Sequence, residues 1–420
     1  MLESIEPTAA SPDEGPSVLL GRQPIVDRTG ALVAYELLFH GHDGTGDSIP
    51  ADDPAATEQV ILNAIAQFGV AGALGPHRGF VHAGRGALGL DSLLLLEPAR
   101  FTIVVRGADM ADAAVPAACL RLRQAGFQIA LDDVAALPPC PPRVLEAADI
   151  VRVDPHGVGC TDLSGLVAAA HAAGCAVLAT QVETREQYRW LYGQGVDLFQ
   201  GYFFARPELL RQHQVSPSQA ALLKLVGVLA SDPSLARLQL EVKRHPMLLA
   251  QLMKLAGSAL VAGRPDLTVG EAIARVGTRQ LARLAQLLLF ASGGQLPLED
   301  DPLLQLVHTR ARFLELLAES LWPEDAVLVD AAFQTGIYSL MHVVTLQPSE
   351  ELLAQVGTSL RIRLAILQSE GRLGDLLQIA EFMEGFRTDR PAHVLTRHGL
   401  CTARIGTLFA RATGEILSST

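Results

Sequence analysis

Little in these 420 residues advertises thiol or zinc chemistry. The five cysteines, Cys119, Cys140, Cys160, Cys175 and Cys401, form an odd set with no C-x-x-C pair, which indicates neither a disulfide framework nor a zinc module. Lysine is scarcer still: Lys224, Lys243 and Lys254 stand against thirty arginines. No Gly-Lys dipeptide occurs, which excludes a P-loop, and no G-x-S-x-G, which excludes the usual hydrolase elbow. No uninterrupted run of about eighteen apolar residues is present, so no membrane span is expected. The opening MLESIEPTAASPDEGPS is acidic where a secretory signal needs basic and then apolar residues. Residues 1–17 are expected to be a disordered leader on a cytoplasmic protein. The net charge of -12 argues against nucleic acid as a partner.

What is present is a globular composition, 49% hydrophobic and 19% charged, in a chain long enough for two or three domains. From Val18 to Pro207 eight short apolar runs read as strands: SVLLGRQPIV, ALVAYELLF, GFVHA, RFTIVVRG, FQIALDDV, ADIVRVD, CAVLAT and DLFQGYFF. Helical stretches lie between them, which implies β-α-β units with a parallel sheet, and the count favours a closed barrel. Chemistry in such a barrel sits at the C-terminal ends of the strands. The positions to inspect are then Glu36, His82, Arg106, Asp132, Asp133, Asp154, Thr180 and Gln200. After a junction at 208–216, residues 217–420 carry apolar residues at three- and four-residue spacing, the pattern of an all-helical domain.

Two short motifs carry little. Gly84-Arg85-Gly86-Ala87-Leu88-Gly89 fits G-x-G-x-x-G but follows the third strand rather than opening the sheet, against a dinucleotide fold. His42-Asp43 lies in a Gly-rich stretch that reads as a turn. Asp132-Asp133 is more telling, because paired carboxylates at a barrel mouth suit hard divalent cations.

GRQPIVDRTGALVAYELLFH, LDDV, ADIVRVD, ATQVETREQY and especially GVDLFQGYFFARP resemble the EAL domain, and the tail from Gln219 resembles the HDOD domain. Together they resemble EAL-plus-HDOD signalling proteins of the YuxH type. The resemblance implies an EAL-type (β/α)8-like TIM barrel over 18–207, followed by an HDOD all-helical bundle over 217–420. It also implies a family that hydrolyses cyclic di-GMP with two divalent metals. On it, Glu36 takes the place of the naming glutamate, Asp132 and Asp133 of the metal-holding pair, Glu183 of a second glutamate, and Gln200 of a glutamine before a G-Y-x-F turn.

The departures point the other way. His82 replaces a metal-ligating asparagine, Val105 or Arg106 a glutamate, Arg152 a lysine, Thr180 a glutamate and His40 a phosphate-contacting arginine, while VAALPPCPP replaces a flexible loop. Two close cations need several anionic oxygens and a base to activate water. The expectation is therefore an inactive relative, not an enzyme, with no metal; Mg or Mn would enter only for a slow phosphodiesterase using Glu36, Asp132, Asp133 and Glu183. Cyclic di-GMP binding stays open, with Glu36, Arg106, Asp132, Asp133, Arg152, Glu183 and Gln200 as candidates. Arg106 or Arg152 could pair with a phosphate, or these groups could satisfy one another, as Arg152 with Asp132. In the helical half His245 and His342 stand without partnering acids, which implies a module that binds signalling proteins. A homodimer is the expected assembly, if any.

Overall fold

The computed structural model describes residues 18–41, 74–89, 93, 96–133, 142–156, 163–201, 203, 217–229, 233–258, 268–291, 296–345, 348–385 and 391–418. His42-Asp43 and most of VAALPPCPP lie outside these, as does the side chain of His40. Eight strands close into a barrel in chain order: β1 Val18–Asp27, β2 Leu32–Gly41, β3 Arg78–His82, β4 Phe101–Arg106, β5 Gln128–Asp132, β6 Ile150–Val153, β7 Ala176–Ala179 and β8 Leu198–Gln200. Each coincides with one of the apolar runs in the sequence. One feature differs from the expected parallel sheet. β1 runs antiparallel to both β2 and β8, while the other pairs are parallel. The reason is the short Asp27–Ala31 turn, where Asp27 Oδ1 accepts from the Thr29 and Ala31 amides and Gly30 takes φ 84°. A parallel crossover needs a dozen or more residues.

Strand alternation fills the barrel. Ile25, Ala34, Phe80, Val104, Ala130, Ile150 and Leu178 form one buried layer inside it, as the period of two dictates. The layer two residues nearer the C-terminal mouth is polar: Gln23, Glu36, His82, Arg106, Asp132, Arg152, Thr180 and Gln200. Outside the strands pack α1 Ala114–Gln124, the single turn α2 Pro142–Leu145, α3 Leu163–Ala172 and α4 Arg185–Gly193. Gly84–Gly89 is a turn that opens no described helix.

The helical half runs α5 Pro217–Leu229, α6 Leu235–Val242, α7 Pro246–Ser258, α8 Val269–Val276, α9 Thr278–Leu288, α10 Pro302–Leu321, α11 Ala326–Ser339, α12 Met341–Thr345, α13 Ser349–Gln355, α14 Leu360–Gln368, α15 Gly371–Met383, α16 Ala392–Arg397 and α17 Thr402–Ser418. Twenty-residue α10 is its axis, capped by Asp301 Oδ1 on the Leu303 and Leu304 amides and packed by α11, α15 and α17. Gly336 lets α11 approach closely, since a Cβ there would lie 2.4 Å from Ala311 Cα. Contrary to the expectation of no membrane-length run, Ala326–Val344 is long and apolar enough to cross a membrane, but 67% of it is buried inside the fold, as in a core helix.

The hairpin β1-β2 has no crossover helix to cover its outer face, and the helical half covers it instead. α17 packs on β1, and Leu303 and Leu306 of α10 pack against the barrel's outer core. Arg22 stacks 4.2 Å from the Tyr35 ring and donates from Nη2 to Thr309 Oγ1 at 3.1 Å. His77 meets the Glu299 carbonyl at 3.1 Å.

Candidate functional site

The polar layer converges on Arg152. From β6 its Nη1 lies 2.9 Å from Glu36 Oε1, 3.1 Å from His82 Nε2 and 3.5 Å from Asp132 Oδ2. Its Nη2 donates to Gln200 Oε1 at 3.2 Å. Gln200 Nε2 donates to Glu36 Oε2 and, at 2.8 Å, to Gln23 Oε1, and His82 Nε2 also meets Glu36 Oε1. Glu36 is 3% and Arg152 4% exposed, so the charges sit where water screens them little. Burial alone would raise the Glu36 pKa. The Arg152 charge, then the His82 contact and the Gln200 hydrogen bond, outweigh it and hold the carboxyl at about 2.

Sequence-predicted residues divide sharply. Glu36, Asp132, Arg152 and Gln200 meet in this cluster, and Asp132 is its more open edge. Asp133 sits exposed on the rim at φ 55°, its amide on Asp132 Oδ1 at 3.1 Å. Left-handed backbone in a non-glycine residue is a costly conformation that marks a constrained position. Arg106 does not join the cluster: it is exposed and chelates Asp109 of the following turn, with Nε and Nη2 each at 3.2 Å. Glu183 is exposed beside the α4 capping box, its amide donating to Gln187 Oε1. Asp154 is occupied with His156 at 3.2 Å, and buried Thr180 points its hydroxyl at the Val153 carbonyl. Gln23 was not read from the sequence; its antiparallel pairing with Glu36 in β1-β2 is the signal that would have found it.

The QGYFF stretch earns its specificity through backbone geometry. A Cβ on Gly201 would lie 2.0 Å from the Val182 carbonyl oxygen, and Gly201 has φ 148°. The same carbonyl accepts the Phe203 amide, while Gln200 O accepts from Val182. Phe203 stacks on Tyr188 at 4.6 Å. This close approach fixes the direction from which Gln200 enters the mouth.

Residues 90–207 match the EAL domain family. The chain carries an EAL domain. It is 24% identical over 382 residues to the uncharacterized protein YuxH of Bacillus subtilis strain 168, covering 89% of this chain and 92% of that relative. It is 27% identical over 380 residues to the cyclic di-GMP phosphodiesterase CdgJ of Vibrio cholerae, covering 87% and 84%. Among solved structures, the manganese and cyclic di-GMP complex of Klebsiella pneumoniae BlrP1 shares 25% identity over 46% of this chain and 56% of that one. At a TM-score of 0.38 that likeness decides nothing about the site.

These relationships correct the expectation of an inactive relative. That expectation weighed lost carboxylates strand by strand; against it, residues 90–207 match the EAL domain family and the chain is related over most of its length to a protein named as a cyclic di-GMP phosphodiesterase. Counting carboxylates misses what the mouth collects, since an imidazole such as His82 can ligate a cation or move a proton.

The donor set as it stands does not fit a divalent ion between Glu36 and Asp132. Ligand oxygens would have to close to about 2.0–2.6 Å around a cation, and the Arg152 guanidinium already fills that position. Among the described residues no group of three His, Cys, Asp or Glu side chains gathers as a metal centre.

Proposed function

We propose that this chain acts in cyclic di-GMP signalling, binding the dinucleotide at the barrel mouth and hydrolysing a phosphodiester bond there. The observation that carries the reading is the convergence of Glu36, His82, Asp132, Arg152 and Gln200 at the C-terminal mouth of an EAL barrel, the face where such barrels place their chemistry. The relation to CdgJ supports the substrate class. Arg152 supplies a guanidinium suited to a phosphate oxygen, and turning from Asp132, the longest of its contacts, costs it least. Ionised Glu36 and Gln200 hold that guanidinium in place. His82, with 35% of its side chain exposed, brings to the mouth an imidazole, the side chain most often used in acid–base catalysis.

The proposal extends to the rest of the chain, with residues 18–207 as the barrel and 217–420 as an HDOD-type module that docks signalling proteins in the cytoplasm. Exposed Leu235 and Leu240 on α6 and Leu360 and Leu367 on α14 support a docking role. The test is calorimetric titration with cyclic di-GMP, with and without magnesium or manganese, followed by chromatography of the recovered nucleotide. Binding with a linear dinucleotide product is expected. No heat together with intact nucleotide would overturn the reading.

A further inference from the structure

We infer that Arg152 is the resident cation of the barrel mouth, holding Glu36, His82 and Asp132 together in the place of a divalent metal ion. The inference concerns the same mouth as the proposed function and names what controls its cation content. Its basis is geometric. One guanidinium nitrogen, Nη1, lies within 3.5 Å of a donor atom on each of those three side chains, which come from three different strands. A cation that served all three would occupy the same point, each donor closing by about 1 Å to reach metal–ligand distance. A divalent ion beside the guanidinium would meet like charge at about 3 Å with little water between them, a strong repulsion even where the surroundings screen it partly. Metal and Arg152 therefore exclude one another.

Arg152 is also held as a fixture rather than as a mobile surface charge. Its side chain is 5% exposed, Gln200 anchors Nη2, and Gln23 anchors Gln200. Its Nε is buried with no hydrogen-bond partner, so the site tolerates an unsatisfied donor to keep the charge at this point. Removing the guanidinium leaves Glu36 and Asp132 uncompensated around a space that it filled. That is a latent metal site whose ligands are a glutamate, a histidine and an aspartate.

The experiment is titration with Mn²⁺, followed by electron paramagnetic resonance of the free ion, on the full chain, Arg152→Ala and Arg152→Met. The wild-type chain is expected to bind Mn²⁺ at this site no tighter than millimolar. Both variants are expected to bind at least tenfold tighter, and Glu36→Gln in the Arg152→Met background should abolish the gain. Micromolar binding by the wild type that Glu36→Gln removes would overturn the inference, whatever the variants do. Folded variants, judged by circular dichroism, that bind no tighter than wild type would overturn it equally. Cyclic di-GMP titration in the absence of metal separates this outcome from failure of the functional reading, because the latter is scored by nucleotide binding and product.

Discussion

A buried arginine–glutamate pair sits in each half of the molecule, and the two are built differently. In the helical half Arg310 of α10 chelates Glu384, with Nε at 3.1 and 3.0 Å from the two carboxylate oxygens, while Nη1 donates to Ser339 Oγ at 2.9 Å. Both side chains are 3% exposed. In the barrel Arg152 meets Glu36 just as deeply, but its other neighbours, His82 and Asp132, are 35% and 26% exposed, and its Nε is unpartnered. One pair is enclosed and hydrogen-bonded into a helix crossing. The other opens on a mouth and shares its charge among several titratable groups. Enclosure of that kind serves folding, whereas an open and over-subscribed charge is a place where a ligand can exchange contacts.

The largest expected effect breaks this comparison at the helical pair. Arg310→Met leaves Glu384 buried without its partner, and breaking one side of such a pair costs about 3–5 kcal/mol. Chemical denaturation should show the loss, and the two tryptophans report it separately, with Trp190 in barrel helix α4 and Trp322 at the end of α10. The Trp322 signal, read in a Trp190→Phe background, should move to markedly lower denaturant. An unchanged midpoint would mean that the pair is not structural. Arg152→Met should cost less stability, about 1–3 kcal/mol read from Trp190, because Glu36 keeps its His82 and Gln200 contacts. It should instead abolish cyclic di-GMP binding. Retained nucleotide affinity in that variant would remove Arg152 from the site.

The next prediction sharpens the comparison through pH. Glu36 has a folded pKa of about 2 against 4.5 for the free group. A carboxyl depressed by folding stabilises fully above its unfolded pKa and loses that contribution as pH falls toward the folded value. The Trp190 denaturation midpoint should therefore fall between about pH 5 and pH 2, and Glu36→Gln should flatten that part of the profile. An equally steep profile in the variant would assign the acid sensitivity to other carboxylates.

The barrel strands were legible because their apolar runs are short, β-branched and spaced by helical stretches. The direction of β1 was missed, although a turn as short as Asp27–Ala31 contains its own answer. At the mouth, strand-end arithmetic found Glu36, Asp132 and Gln200 because period-two alternation carries each of them into the layer above Ala34, Ala130 and Leu198. The same arithmetic placed Arg106 there, above Val104. It could not foresee that Asp109, three residues on, would draw the guanidinium to the surface, since a local ion pair competes with the mouth on terms set by the turn. Arg152 was readable as a charge on a strand but not as the centre of the cluster. Convergence on one nitrogen is a property of four strands in register, and no single strand contains it.

The smallest effect tests whether the two halves behave as one unit. Arg22 lies on β1, one residue from Gln23 of the mouth, and its outward guanidinium donates to Thr309 on α10, one residue from Arg310. The contact thus joins the strand that supports the barrel site to the helix that carries the buried pair. Thr309 is buried at 3%, and Thr309→Val keeps its shape while removing the acceptor oxygen. The cost should be about 1 kcal/mol, the net worth of a hydrogen bond to a charged donor less the relief available to Arg22, which still stacks on Tyr35. If β1 and α10 unfold together, both tryptophan signals should shift by the same small amount. A shift in Trp322 alone would show that the barrel and the helical half unfold independently.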